Sequence, residues 1–272
     1  MNEPRRFQLT DVHCILRDGS IRRNSSLLIE DGVITRIDGT GGGDAPEADR
    51  PIEVVAGNGG YVTPGLVNMH THSPMNIFRG IAEDVDADTW FNRDIWPYES
   101  VMEADDIRSG TRLAAAEMLA NGVTSVADHY FSAGIICETA LEAGFRLDIA
   151  PTLFGMAGDF GEQLAAAEAL HAEWDGRDGR IAVRLGPHSP YTCSDRQLHM
   201  VAGLAGKLGA GIHIHVSETA GQVAQCIETY GKTPFSLLQA VGMLEFPLIV
   251  GHGIYITEEE RSLLPGHDIC LA

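Results

Sequence analysis

The sequence lacks an apolar run long enough to cross a membrane, because no stretch of about 18 consecutive apolar residues occurs in its 272 residues. The charged N-terminal segment Met1–Arg6 is also not followed by the apolar region of a secretory signal. From these two absences we predict that the chain has no membrane span and no signal peptide. We therefore expect a cytoplasmic protein with no membrane partner.

Cysteine and positive charge are both scarce. The five cysteines are an odd number without a Cys-x-x-Cys pair, which predicts reduced, mostly buried thiols and no disulfide framework. They are Cys14, Cys137, Cys193, Cys226 and Cys270. With 19 basic against 38 acidic residues the net charge is −19, which excludes a nucleic-acid partner because such partners require a basic face. The acidic surplus is otherwise typical of a soluble surface.

What the chain does contain begins with short β-like runs over the first 57 residues. The turn Glu30-Asp31-Gly32 predicts a β-hairpin. The glycine-rich stretch Gly39–Gly43 is interpreted as a surface loop. Residues 1–58 are thus predicted to be a small β domain, incomplete by itself because a few short strands rarely bury enough apolar area.

From residue 59 onward, helical and strand-like segments alternate. Helices are predicted over Ala104–Asn121, Ser194–Leu208 and Pro234–Leu244. Strands are predicted over the apolar runs Val123–Ala127, Leu147–Leu153, Ile181–Leu185, Gly211–Val216, Pro247–Val250 and Asp268–Leu271. Such alternation indicates an α/β fold with a parallel sheet. Over residues 59–272 we expect a TIM-like (β/α)8 barrel, with an open doubly wound sheet as the alternative.

Histidines concentrate where the predicted strands end. His70 and His72 share one face of a strand because side chains alternate with period two, and this geometry suits Zn²⁺, Fe²⁺ or Ni²⁺. His213 and His215 share a face in the same way. By itself the pair of His213 and His215 would more often be hydrogen-bonded core histidines, but the upstream pair of His70 and His72 and the downstream His252 favour metal binding. His70, His72 and His215 together would leave a coordination position for water, as catalytic sites do.

Three further residues near the strand ends are candidates for function. Glu218 lies three residues after His215, where it can take a proton from a metal-activated water and return it to a leaving amine. The alternative is an N-cap or first-turn acid of the next helix. His188 lies between two prolines in a rigid turn that could present a hydrogen bond to substrate. His129 could act similarly or be a solvated turn histidine, and it is not assigned.

Several motifs carry a resemblance to a known family. The segment Pro64–His72 continues through Arg79-Gly80 to Trp90 and Trp96–Glu99, and the segments Gly186–Ser194, His213–Thr219 and Gly251–Gly253 follow in the same order. This pattern resembles the amidohydrolase superfamily over nearly the whole chain. Within the superfamily it is similar to the branch of S-adenosylhomocysteine/methylthioadenosine deaminases and triazine chlorohydrolases and aminohydrolases.

The resemblance implies one divalent metal ion, zinc or alternatively iron, on His70, His72 and His215. It implies His252 near the metal-bound water and Glu218 as proton shuttle, both catalytic. It also implies that Glu99 and His188 contact substrate, that Trp90 walls the pocket, and that the N-terminal β domain is part of a β-sandwich.

Two departures from the family pattern lead to further expectations. Pro151–Leu164 contains no arginine where adenosylhomocysteine-type members carry arginines for the polar tail of the substrate, and Gln163 lies near one such position. The sequence ends at Ala272 within the predicted seventh strand, before the aspartate of strand eight that the family uses. We therefore expect a barrel incomplete at its C-terminus and a chain that is inactive or nearly so by itself.

The leading functional hypothesis is a metal-dependent hydrolase that deaminates an amino-substituted purine, pyrimidine or related N-heterocycle. The alternatives are a triazine-type chlorohydrolase or aminohydrolase, and a catalytically inactive metal-binding fragment. The expected partner is a small-molecule substrate, and the sequence leaves the oligomeric state open, a homo-oligomer included.

Overall fold

The computed structural model describes residues 6–39 and 52–272, which divide into two compact units, Met1–Gly65 and Leu66–Ala272. The predicted domain boundary between residues 58 and 59 lies inside a strand of the first unit. The predicted glycine-rich loop lies outside the described residues except for Gly39. Within these ranges, no helix is both long and apolar enough to cross a bilayer.

The first unit is a four-stranded sheet of β1 (Arg6–Ile15), β2 (Ile21–Glu30), β3 (Val33–Asp38) and β4 (Glu53–Val62). Its strand order is β3-β2-β1-β4, with β4 parallel to β1 and the other pairs antiparallel. The predicted hairpin is confirmed: Asp31 and Gly32 both adopt positive φ, as a two-residue turn between paired Glu30 and Val33 requires.

The second unit has the alternating, parallel α/β architecture predicted from sequence. Its strands are β5 (Leu66–Thr71), β6 (Val123–Tyr130), β7 (Arg146–Leu153), β8 (Ile181–Val183), β9 (Gly186–Pro187), β10 (Ile212–Val216), β11 (Leu248–His252) and β12 (Ile269–Leu271). They form two parallel sheets. One has the strand order β5-β6-β7-β8, with β9 also paired to β7, and the other has the order β10-β11-β12. An isolated bridge between Leu185 and Ile212 joins the two sheets. Closure of the barrel stays a prediction.

Helices connect most of these strands and cover the sheets. They are α1 (Ala87–Thr89), α2 (Trp96–Glu99), α3 (Ala104–Ala120), α4 (Ala133–Ala143), α5 (Phe160–Trp174), α6 (Asp195–Leu208), α7 (Ala220–Tyr230), α8 (Pro234–Ala240) and α9 (Glu258–Arg261). The predicted capping box of α6 is present, with Ser194 and Gln197 bonded reciprocally. Two buried apolar clusters result, one around β6–β8 and α4, the other around β10, β11 and α6. This packing fixes the carboxyl ends of the strands.

Two predicted elements differ by three residues or more in length from those observed. Helix α8 ends at Ala240 and not at Leu244, because Gly242 adopts a left-handed conformation (φ = 82°) that stops the helix. Strand β6 extends three residues beyond the predicted Ala127, since residues 128–130 pair in register with 149–151 of β7. The extension brings Asp128, His129 and Tyr130 into the sheet.

Candidate functional site

The three histidines predicted to bind a metal converge at the carboxyl ends of β5 and β10. His70 lies in β5, His72 follows its last residue, and His215 lies in β10. One ligand atom from each histidine lies within 4.8 Å of the other two. The cluster therefore joins side chains that are up to 145 residues apart in sequence.

The chain turns sharply after His72 because a short 3-10 turn, Ser73–Phe78, begins there with Pro74 in its first positions. The Ser73 backbone N–H donates to both carboxylate oxygens of Asp128 at 3.3 Å. Asp128 is fully buried, and this burial raises its pKa to about 7. Asp128 thus ties the end of β6 to the turn that follows His72.

Backbone carbonyls orient two of the three histidines. His72 Nδ1 lies 2.6 Å from the His129 carbonyl oxygen, and His215 Nδ1 lies 2.8 Å from the His188 carbonyl oxygen. Because a carbonyl can only accept, each Nδ1 must carry the proton and each Nε2 must present a lone pair. These two Nε2 atoms face each other at 3.3 Å. Two lone pairs at that distance repel unless a cation or a proton lies between them.

The histidines are held neutral, which is the form that binds a metal. Burial, aided by repulsion from neighbouring histidines, lowers the pKa of His70 to about 3 and holds the pKa of His215 well below its usual value. Burial also lowers the pKa of His72. His70 Nε2 is buried and has no hydrogen-bond partner among the described residues. The donor set therefore fits a divalent metal ion bound by three imidazoles.

Glu218 and His252 lie beside the histidine cluster: Glu218 is on the loop that follows β10, and His252 is the last residue of β11. Glu218 Oε1 is 3.7 Å from His252 Nε2, and the His252 ring stacks on the His215 ring at a centroid distance of 5.5 Å. Ser217 (φ = 52°) and His252 (φ = 75°) both adopt left-handed conformations, a strain that clusters at functional sites. Thr219, and not Glu218, caps helix α7, so the capping alternative for Glu218 does not describe its position.

His188 and Glu99 also adjoin the cluster. The His188 ring lies 4.8 Å from that of His215, and its Nδ1 is within hydrogen-bond distance of Thr192 Oγ1. Glu99 accepts a 2.6 Å hydrogen bond from the Tyr130 hydroxyl, and the Tyr130 ring lies 6.2 Å from the His72 ring. Burial raises the pKa of Glu99, and the bond from Tyr130 partly offsets this rise.

Trp90 is the one predicted site residue that the described contacts do not connect to the cluster. It begins a π-helical turn, Trp90–Ile95, and its backbone N–H donates to the Asp86 carbonyl. Within the described part of the chain, no ring contact joins it to a histidine. Its role as a pocket wall stays a prediction.

His129, to which the sequence pattern assigned no role, is buried and adjoins the histidine cluster. The solvated-turn interpretation is wrong because β6 continues through Tyr130 and encloses the imidazole, leaving 1% of the residue exposed. Its carbonyl orients His72, and its ring lies 4.7 Å from that of His215. In the sequence, the feature that could have pointed to His129 is its position at the end of a predicted strand, next to the predicted strand with His70 and His72.

Gly251 was also missed. A Cβ atom placed on it would lie 2.9 Å from His70 Cε1 and 3.2 Å from His215 Cδ2. Only a residue without a side chain leaves these two rings in place. In the sequence, its position just before His252 was the only indication.

Comparison with known proteins adds family information to this geometry. The sequence model described as the amidohydrolase family matches residues 61–271. A 5-methylthioadenosine/S-adenosylhomocysteine deaminase of Halothermothrix orenii is 37% identical over 254 residues, covering 93% of this chain and 58% of that protein. The one of Pelotomaculum thermopropionicum is 36% identical over 231 residues, covering 85% and 53%. The chain thus spans about half the length of the curated relatives it matches.

Solved structures show the same fold. An adenosine deaminase from Xanthomonas campestris with bound zinc aligns with a TM-score of 0.85 at 30% identity, over 99% of this chain and 62% of that one. A triazine hydrolase from Arthobacter aurescens aligns with a TM-score of 0.86 at 19% identity, over 98% and 64%. At that identity the second likeness concerns the fold alone.

Proposed function

The chain belongs to the amidohydrolase family, and we propose that it takes part in the hydrolytic deamination of an amino-substituted purine, pyrimidine or related N-heterocycle. The observation that carries this proposal is the cluster of His70, His72 and His215, in which two facing Nε2 atoms present lone pairs. The relatives that are named as deaminases support it. A small molecule is the substrate under this proposal, and the protein acts in the cytoplasm.

One zinc ion, or alternatively iron, is the metal that we propose for these three nitrogens. When bound there it would lower the pKa of a water molecule towards ~7. The choice of zinc rests on three neutral imidazoles as donors and on the zinc named for the Xanthomonas campestris relative.

In the proposed reaction Glu218 moves the protons. Its carboxylate accepts a proton from the attacking water and delivers it to a ring nitrogen, and a second proton transfer lets the amino group leave as ammonia. Water and the aminated ring are thereby converted to the oxo ring and ammonia. His252, 3.7 Å from Glu218, hydrogen-bonds the oxygen that adds to the ring. Glu99 and His188 hold the heterocycle, and Trp90 is retained as part of the pocket.

The test is ammonia release by the purified gene product from a panel of purines, pyrimidines and triazines. Glu218→Gln should keep its metal content while the rate falls by ~10²–10⁴. Glu228→Gln, a control on the exposed side of helix α7, which follows Glu218, should behave as wild type. Chloride release from a chlorotriazine without deamination of any ring would favour the triazine alternative. A metal-loaded protein with no turnover on the whole panel would favour a non-catalytic metal-binding role.

A carboxylate-tailed substrate is not expected to be strongly preferred. Gln163, near the position of a family arginine, is engaged with its own loop: its Oε1 accepts from the Phe154 N–H, and its Nε2 donates to the Phe154 and Ala157 carbonyls. It is therefore not free to bind a tail. Loss of a buried Arg–carboxylate pair typically costs ~2–5 kcal/mol. A hundredfold preference in kcat/KM for S-adenosylhomocysteine over adenosine would contradict this expectation.

A further inference from the structure

His213 lies behind the proposed metal centre and contacts one of its ligands. Its Nε2 is 2.8 Å from His70 Nδ1. The imidazole is fully buried in β10, and its Nδ1 has no hydrogen-bond partner among the described residues. Within the described residues, the only hydrogen-bond partner of the buried His213 side chain is thus a proposed metal ligand.

The three proposed ligands differ in what fixes them. His72 and His215 both donate from Nδ1 to backbone carbonyls, which no substitution removes. His70 has a side chain in the equivalent place, His213. Of the three proposed ligands, only His70 is therefore oriented by a side chain that a substitution can change.

The contact between these two imidazoles allows only one arrangement that binds a metal. A neutral imidazole has one N–H and one lone pair, so His70 can offer Nε2 to a metal only when its Nδ1 carries the proton. His70 Nδ1 then donates to His213, whose Nε2 must be the acceptor. His213 must accordingly carry its own proton on Nδ1.

We propose that His213 is a positioning residue that fixes the metal-binding tautomer of His70 by accepting a hydrogen bond at Nε2. This inference rests on the proposed metal centre and assigns a role that the three ligands and Glu218 do not fill. Residues that hydrogen-bond to metal ligands commonly orient them in this way, and loss of such a residue typically weakens metal binding by ~10–100-fold.

If His213 had only a structural role, replacing it would lower the stability of the metal-free protein as much as it lowers metal affinity. In the required tautomer, its Nδ1–H is a buried donor without an acceptor in the described part of the chain, and such a donor lowers stability. Replacing the ring with phenylalanine removes that donor and keeps the shape. Metal affinity should therefore fall in this variant without a matching loss of stability in the metal-free protein.

The experiment measures zinc affinity by competition with a chelator, together with thermal unfolding of the metal-free protein. His213→Phe should bind zinc ~10–100-fold more weakly than wild type with a similar melting temperature. His213→Gln, whose amide oxygen can accept in place of Nε2, should recover most of the affinity. The matched control is His267→Phe, which should leave zinc affinity unchanged, because His267 is a partly buried histidine whose Nδ1 donates to the Leu244 carbonyl and not to a ligand nitrogen.

A measurement on the wild-type protein complements the variants. Ring ¹⁵N chemical shifts of the zinc-loaded protein should show His213 protonated at Nδ1 and bare at Nε2. A proton on His213 Nε2 would overturn the proposal, as would equal affinity losses in His213→Phe and His267→Phe. Absence of zinc binding by the wild type would instead overturn the metal centre itself, so the two failures are distinguishable.

Discussion

At the scale of single residues, the site depends as much on a missing side chain as on the histidines. Gly251→Ala should weaken zinc binding by ~10-fold or more, because the added Cβ would lie 2.9 Å from His70 Cε1 and must displace that ring. Chelator competition measures the change. Gly206→Ala is the control, since a Cβ there meets only ordinary contacts with Phe246. Unchanged affinity in Gly251→Ala would show that the His70 ring can shift without loss.

Tyr130 gives a second prediction at this scale. Tyr130→Phe removes the 2.6 Å hydrogen bond to Glu99, and we expect KM to rise ~10-fold with kcat little changed if Glu99 holds the substrate. Burial raises the pKa of Glu99, and the hydrogen bond from Tyr130 partly lowers it again. Without that bond the pKa of Glu99 should therefore be higher than in the wild type. The rise in KM should then be larger at acidic pH, where more Glu99 is protonated. Steady-state kinetics from pH 5.5 to 8 measure this.

The exposed Tyr98, on the same helix as Glu99, provides the control: Tyr98→Phe should leave KM unchanged. A fall in kcat with constant KM in Tyr130→Phe would place Glu99 in the chemical step and not in substrate binding. That result would contradict the prediction.

The residues that sequence analysis selected for metal binding and those that it missed differ in a simple way. His70, His72 and His215 were identified because period-two spacing and imidazole chemistry are both visible in the sequence. The roles of Gly251 and the His129 carbonyl depend on backbone atoms brought close by strand pairing. No side-chain pattern in the sequence records such contacts, and only the positions of these residues near strand ends indicated them.

At the scale of elements, one buried carboxylate connects two helices. Glu260 is 1% exposed; its Oε1 accepts from the Phe235 N–H at the start of α8, and its Oε2 accepts from the Thr257 N–H before α9. Glu260→Ala should lower the free energy of unfolding by about 2–3 kcal/mol, because it leaves the buried Phe235 N–H and the partly buried Thr257 N–H without their acceptor. Urea denaturation measures the loss.

A graded series makes this test specific. Glu260→Gln keeps one acceptor oxygen and should lower the free energy of unfolding by less than Glu260→Ala does. Glu259→Ala removes an exposed neighbour on α9 and should change the free energy of unfolding little. Equal effects of Glu260→Ala and Glu259→Ala would show that the buried bonds contribute nothing.

Elements were predictable where local chemistry determines them. Helix α6 follows from its capping box and apolar face, and the β2–β3 hairpin follows from its Asp-Gly turn. The C-terminal extension of β6 was not predictable, because Asp128 and His129 are polar. Pairing with the already formed β7 stabilises those residues in the sheet, and that pairing is a tertiary effect.

At the scale of the whole molecule, the alternation of strands and helices was sufficient to predict the parallel α/β architecture. The comparisons confirm the amidohydrolase fold and family. The curated relatives extend beyond what this chain covers, since it spans 53% and 58% of the two described above. The strand-eight aspartate and the inactivity of the chain alone stay predictions, as does the oligomeric state.

The final prediction concerns the pH dependence of stability in the metal-free protein. Six clustered histidines have pKa values lowered by burial, to about 3 for His70 and about 4 for His188. The other four are His72, His129, His213 and His215. The unfolded chain binds protons at these sites below about pH 6.5, whereas the folded chain does not. Their contribution to stability is therefore present above pH 6.5 and is lost as pH falls towards 4.

Three carboxyl groups with raised pKa values oppose this trend. Burial raises the pKa of Asp128 to about 7, and it also raises those of Glu99 and Asp148, so these groups favour the folded state at low pH. Each fully titrating group changes the free energy of unfolding by about 1.4 kcal/mol per pH unit. Six histidines outweigh three carboxyls, so the urea midpoint in the presence of a chelator should fall steeply between pH 7 and pH 5. A midpoint that is equal or higher at pH 5 would mean that the histidines are not held neutral by the fold, and the lone pairs assigned to the metal centre would lose their physical basis.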